Sequence, residues 1–183
     1  TTAPPTDGGW YSPPKIPGGL LTTIRLDISL EAPEHRGAHT VELVRELSAR
    51  FPQLPPLVLL LKAFLNERSL QHAYTGGMSS YCLVLMTTCF LMRHQHEAAD
   101  LGSVLLDFLH FFGLRFDPRT WRISLRAGGL IPTSTRGIDP LYIEDPLQPS
   151  NNVGRNCFRI LQIQKAFADA YVQLESALRD GKP

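Results

Sequence analysis

From Ile24 to Leu30 the chain alternates, with Ile24, Leu26, Ile28 and Leu30 on one side and Arg25, Asp27 and Ser29 on the other. A period of two predicts a β-strand with one polar face. Upstream, residues 1–19 carry five prolines and four glycines with no apolar period, and read as a loop or tail. After residue 36 the period changes to that of helices. Leu43, Val44, Leu47 and Phe51 form the stripe of a helix that Thr40 caps and Pro52 ends. Pro55-Pro56 opens a second helix, Leu57 to Glu67, apolar on almost every side and so expected to be buried. Gly76-Gly77 breaks the chain before a third, Ser79 to His94, and a fourth runs from Asp100 to Gly113. Trp121 to Arg126 predicts a short strand, with a hairpin partner near Leu141 to Ile143. A last helix, about Asn156 to Leu178, turns Ile160, Leu161, Phe167, Tyr171, Leu174 and Leu178 inward. The pattern is that of a mostly α domain with a small β element, preceded by a lone strand whose partners lie in the later hairpin or outside the chain.

Bulk properties narrow the reading. With 183 residues and 43% hydrophobic content there is material for one good core, or one domain plus part of another. A net charge of +1 excludes holding nucleic acid by bulk electrostatics, so any such contact must be local. Cys82, Cys89 and Cys157 show no metal-site spacing and read as reduced core residues of an intracellular protein. No apolar run is long enough to span a membrane, and no secretory leader is visible, which leaves cytosol or nucleus.

Several residues invite chemistry. Asp27, on the polar face of the strand, reads from pattern alone as a solvated acid. Lys62 stands alone within Leu57-Val-Leu-Leu-Leu-Lys-Ala-Phe-Leu65, where it must snorkel to water or meet an anion. Ser80 and Tyr81 follow Gly-Gly at a helix start, which fits an ordinary cap with a core tyrosine or an anion site. The stretch Ile143-Glu-Asp-Pro-Leu-Gln-Pro-Ser-Asn-Asn-Val-Gly-Arg155 is unlike an ordinary connector. Its prolines at 146 and 149 pre-shape the backbone, and the amides of Asn151 and Asn152 suit reading a base edge. Asp145 and Arg155 read as braces of that loop. His94-x-His96 with Asp100 lacks a fourth ligand to close a metal site. Arg115, Arg119, Arg122 and Arg126 form a modest basic cluster, either a solvated face or an RNA-tracking patch.

The 143–155 stretch, together with Lys62 to Leu70 and Tyr74 to Leu85, resembles the nucleotide-recognition blocks of template-independent RNA nucleotidyltransferases, in particular the Trf-type noncanonical poly(A) polymerases of the DNA polymerase beta-like superfamily. The resemblance runs from about Leu26 to about Leu178. It implies a helical PAP/OAS-type central (PAP-associated) domain at 37–183, with 1–36 a tail and the last strand of an incomplete catalytic palm. It implies an RNA 3′-end adenylyltransferase using ATP with Mg2+ or Mn2+, with Asp27 as the third of three metal-holding carboxylates. The other two belong to a Gly-Ser turn and an acid-x-acid strand that this sequence lacks, so the chain alone is expected to be inactive.

By the same resemblance Lys62 meets the triphosphate, Ser80 a phosphate and Tyr81 the base, while Thr40 touches the ribose. His39 stands where relatives carry asparagine, and Asn66 where some carry a second lysine. Asn151 matches adenylyltransferases, since uridine-adding relatives commonly carry histidine there. The implied partners are an RNA 3′ end, a zinc-knuckle RNA-binding protein and an RNA helicase, without a membrane, and the implied compartment is the nucleus. Two rival readings stand beside this one: a non-catalytic nucleotide-, RNA- or partner-binding module, and a uridylyltransferase.

Overall fold

The computed structural model describes residues 37–93, 100–133 and 139–181. The strand expected at Ile24 to Leu30, with Asp27, lies outside the described residues, as do His94 and His96. The rest is mostly helical: α1 (Gly37–Arg50), α2 (Leu54–Glu67), α3 (Ser80–Arg93), α4 (Leu101–His110) and α5 (Ile160–Arg179). Four short strands complete it: β1 (Trp121–Ser124), β2 (Gly129–Pro132), β3 (Glu144–Asp145) and β4 (Gln148–Asn152).

Helix α3 is the axle of the fold. Every residue from Cys82 to Leu91 is buried, including Thr87 and Thr88, as an all-round apolar sequence requires. Thr88 returns its hydroxyl to the Val84 carbonyl at 2.8 Å. Around α3 an aromatic cluster forms from three segments. Phe90 meets Phe108 edge-on at 5.4 Å, Phe108 lies 4.8 Å from Phe112, and Phe167 of α5 meets Phe108 edge-on at 5.6 Å.

Several expectations change against this frame. Thr40 is the fourth residue of α1 and not its cap, because the helix starts at Gly37. Helix α2 starts at Leu54 and buries Leu54, Leu57, Leu61 and Leu65, but Leu59 and Leu60 are exposed. An apolar sequence all round therefore does not bury every face of this helix. Gly113 does not close α4, which is opened by Asp100 through its bond from Ser103 N. The chain continues through a π-helical turn, Phe111–Arg115, closed by Phe116 N donating to Phe111 O at 2.9 Å. Gly113 is needed there for approach: a Cβ would stand 2.5 Å from the Ala168 nitrogen of α5. Gln164 of α5 covers the carbonyls freed at that turn, donating to Phe112 O at 3.2 Å and Phe116 O at 2.6 Å.

The hairpin partner of β1 is β2, register Ile123↔Leu130, and not Leu141 to Ile143. A turn with Gly128 at φ +84° returns the chain locally, which a nearby pair of glycines permits at little cost. Ile143 meets β1 at a parallel bridge to Ile123, where Ile123 N donates to Tyr142 O at 3.0 Å. Helix α5 starts at Ile160, four residues later than expected. It buries Ile160, Ile163, Phe167 and Ala170, while Leu161, Leu174 and Leu178 are exposed.

Candidate nucleotide-recognition site

The Gly-Gly step before α3 is packed by the chain itself. Gly76 takes φ +83°, and a Cβ on it would overlap the Phe158 ring at 2.2 Å. On Gly77 a Cβ would stand 2.3 Å from the Leu70 carbonyl oxygen. The Gly76 carbonyl accepts from Arg159 N at 3.0 Å, so this turn is docked on the start of α5. These glycines thus admit the close approach of Phe158 and Leu70.

The cap of α3 is Ser79, whose Oγ accepts from Cys82 N at 3.2 Å. That leaves Ser80 exposed, one residue before Tyr81. Tyr81 is half-buried, packed against the core on one side, with its hydroxyl donating to Asp145 Oδ1 at 3.1 Å. Burial first, then the charge and hydrogen bond of Asp145, raise the Tyr81 phenol well above its ordinary range, so it stays a donor.

Asp145 is the hub of the segment between β3 and β4. The two strands pair antiparallel with a register break at Glu144–Asp145, so the expected loop is a tight hairpin. Oδ1 of Asp145 also accepts from Leu147 N at 3.0 Å, and Oδ2 accepts from Asn151 Nδ2 at 3.1 Å. One carboxylate therefore orients both the ring of Tyr81 and the amide of Asn151. Asn151 is exposed, and with its nitrogen turned to Asp145 its carbonyl oxygen is the acceptor left for a neighbour.

Asn152 behaves differently from Asn151. It is 5% exposed and all its hydrogen bonds are internal. Oδ1 accepts from Ile143 N and Gly154 N, each at 2.9 Å, and Nδ2 donates to Leu141 O at 2.9 Å and Asp139 Oδ2 at 3.0 Å. It fastens the hairpin and reads nothing outside. Arg155 stands 3.9 Å from Asp139 Oδ1, joining the same network from its rim. The roles of Ser79, Asp139 and Asn152 were missed in the sequence. Only Asn152 left a trace there, as an asparagine two residues before Gly154, the spacing of a side chain that caps its own turn.

The remaining site residues are more dispersed. Lys62 is half-buried on α2, which packs against α3, and it forms no ion pair among the described residues. His39 is exposed on α1, 3.5 Å from Glu42, and Asn66 is exposed near the end of α2. Asp100 is held below the usual carboxylate range by its bonds from Ser103 and serves as a helix cap. Of the basic cluster, Arg119 is bonded twice to Asp117 (3.0 and 3.1 Å), Arg122 lies over the Tyr142 ring, and Arg115 and Arg126 are exposed. Among the described residues no group of three His, Cys, Asp or Glu could hold a metal ion, and no helix is long and apolar enough to cross a membrane.

A profile of the Cid1 family poly A polymerase (PAP-associated) domain matches residues 100–151. The Drosophila melanogaster protein Trf4-2, an inactive noncanonical poly(A) RNA polymerase, is 34% identical over 85% of this chain and 42% of its own length. Poly(A) RNA polymerase cid14 of Schizosaccharomyces pombe is 31% identical over 86% of this chain and 25% of its own length. The chain thus spans less than half of these curated relatives. The polymerase core of TRAMP, an RNA surveillance complex, superposes with TM-score 0.72 at 30% identity, over 79% of this chain and 50% of that one. A histidine-to-asparagine mutant of Cid1 poly(U) polymerase bound to MgATP superposes with TM-score 0.64 at 26% identity, over 75% of this chain and 55% of that one.

Proposed function

The chain belongs to the Cid1-type family of noncanonical poly(A) polymerases, with the Trf4 and Cid14 proteins, and on that premise we propose that it is the helical central domain of an enzyme adding adenosines to RNA 3′ ends without a template. The observation that carries this reading is the Tyr81–Asp145–Asn151 chain of hydrogen bonds. An untemplated enzyme must choose its base by stacking and edge contacts alone. Here a ring held by one carboxylate oxygen and an amide held by the other supply both kinds of contact.

In this reading the base lies on Tyr81, and the Asn151 carbonyl accepts from the exocyclic amine of adenine. Uracil offers a carbonyl at that position, acceptor against acceptor. Lys62 and the exposed hydroxyl of Ser80 take phosphate, Thr40 takes the ribose, and Asp145 and Arg155 brace the hairpin. Mg2+ or Mn2+, when bound, would activate the RNA hydroxyl and steady the leaving pyrophosphate. Its assigned holder, Asp27, lies outside the described residues. We place the enzyme's work in the nucleus, with a zinc-knuckle RNA-binding protein and an RNA helicase as partners, on the family resemblance.

A second reading is a non-catalytic module, favoured by the 34% identity to a relative named inactive. The deciding experiment incubates the protein as expressed from its gene with a labelled RNA primer, each nucleoside triphosphate in turn, and Mg2+ or Mn2+. Adenosine tails support the enzyme. Nucleotide binding without extension supports the module, and uridine tails in preference to adenosine overturn the adenylyl assignment. The same assay on residues 1–183 alone is expected to show no extension, since the sequence carries one of the three carboxylates the resemblance calls for.

A further inference from the structure

An open cavity of about 600 Å³ lies beside the β1–β2 hairpin, and no residue assigned to the nucleotide lines it. Arg122 and Tyr142 face it, with the Arg122 guanidinium carbon 4.6 Å from the centre of the Tyr142 ring. The pair forms a layered surface: the ring holds a flat, delocalised cation, and such a guanidinium plane stacks well against a further aromatic face. Arg119, Asp117, Asp139 and Thr133 also line the cavity. Asp117 is engaged by the Arg119 guanidinium on both oxygens. Asp139 is engaged by Asn152 on Oδ2 and lies 3.9 Å from Arg155 on Oδ1. Two arginines and two aspartates thus line the cavity with no net charge. Thr133 Oγ1, at the wall, has no hydrogen-bond partner among the described residues.

We infer that this cavity is a subsite for one unpaired nucleotide of the RNA substrate, its base lying on the Arg122–Tyr142 layer. Size favours this occupant, since about 600 Å³ falls within the range of small-molecule pockets. Charge favours it too. A lining without net charge has no excess of cations for a polyanionic peptide or a triphosphate, but suits a neutral base. The inference deepens the reading of the chain as an RNA-tailing domain and rests on that reading for the ligand class. It also joins the subsite to the hairpin: Asp139 lines the cavity and is bonded to Asn152, next to the base-reading Asn151. One residue therefore belongs to the wall of the cavity and to the frame of the nucleotide site.

The test measures binding of a short single-stranded RNA, without nucleoside triphosphate, to the protein as expressed from its gene, so that failure of adenylyl transfer does not enter the result. Arg122→Ala should weaken binding about tenfold, the loss expected for one base–aromatic stack. Arg122→Lys should weaken it nearly as much, because lysine keeps the charge and loses the plane. Tyr142→Ala removes the ring that carries the guanidinium plane and should weaken binding as well. On the wild-type protein, RNA carrying 4-thiouridine should crosslink to a peptide containing Arg122 or Tyr142. Unchanged binding by a folded Arg122→Ala protein, full rescue by lysine, or crosslinks confined to other segments would each overturn the inference. So would a poly-glutamate peptide that binds in an Arg122-dependent way while RNA does not.

Discussion

Tyr81 and Asn151, on different elements, are bonded to opposite oxygens of one carboxylate, that of Asp145, each at 3.1 Å. The arrangement makes the aromatic platform and the edge-reading amide a single mechanical unit. Replacing Asp145 with alanine should release both. We expect the catalytic efficiency for ATP to fall and the preference for ATP over UTP to shrink, while the melt stays cooperative, because Asp145 is half-buried and outside the hydrophobic core. Nucleotide kinetics with both substrates check this, alongside thermal melting.

Tyr81 itself separates ring from hydroxyl. Tyr81→Phe keeps the stack and loses the bond to Asp145, so ATP should still be used with KM within a few-fold of wild type. Tyr81→Ala removes the platform, worth roughly 1–3 kcal/mol per base, and KM for ATP should rise about tenfold or more. A phenylalanine variant as impaired as the alanine variant would mean that the hydroxyl, and not the stack, matters.

The hydrophobic pattern made α2 and α3 readable because both are long apolar runs: α3 is buried all round, whereas only one face of α2 is. It misread whatever depends on the surroundings of a stripe. Leu59, Leu60, Leu174 and Leu178 are apolar by composition but exposed in the described fold, and no local period distinguishes them from Leu57 or Ile163. The partner of β1 was misplaced because a four-residue turn at Gly128 outcompetes a distant apolar run. At the site, the residue types of Tyr81, Asp145 and Asn151 were legible. Their joining through one carboxylate was not, since it depends on a contact between residues 64 positions apart.

Asn152 is the structural counterpart of Asn151. Truncating it to alanine would leave the Ile143 and Gly154 amides and the Leu141 carbonyl without their partner inside the fold. Unsatisfied buried groups cost about 1–3 kcal/mol each, and local relaxation recovers part of that, so a loss of about 2–4 kcal/mol is expected. Asn151→Ala, at an exposed position, should stay within about 0.5 kcal/mol of wild type. Urea unfolding of the two variants under one condition makes the comparison.

Gly113 lets the π-helical turn meet α5. Gly113→Ala would place a methyl 2.5 Å from the Ala168 nitrogen, against backbone that cannot rotate away. Overpacking of this kind costs about 1–3 kcal/mol, and the melting temperature should fall by several degrees. An unchanged melt would show that the crossing opens freely.

Three buried thiols give the stability an alkaline dependence. Burial pushes Cys89 and Cys157 up to about 12 and raises Cys82 well above its ordinary value, which for a thiol is 9.0. The unfolded chain releases these protons first. The stability they contribute is therefore full below pH 9 and is lost as pH rises through the folded values. Each thiol adds a slope of about 1.4 kcal/mol per pH unit within that window. Stability measured from pH 8 to 10.5 should fall steadily above 9, and Cys89→Ala should reduce the slope by about one thiol's share.

The orientation of Asn151 makes the last prediction directional. One N–H of its amide is committed to Asp145 Oδ2, which leaves its carbonyl oxygen as an acceptor for a neighbour. Adenine and cytosine offer an amine to that acceptor, and uracil offers a carbonyl. The amide should therefore reject UTP more strongly than CTP, an order that ring size alone would not produce. A histidine at this position can donate, which reverses the match: Asn151→His should raise UTP use and lower the ATP-to-UTP ratio of kcat/KM about tenfold or more, the effect of leaving one polar group unpaired. The measurement is that ratio on one RNA primer, wild type against variant, with CTP as a third substrate. A ratio that does not move in an active variant would show that the hairpin does not read the base. Equal rejection of CTP and UTP by the wild type would show that it reads size and not the exocyclic group.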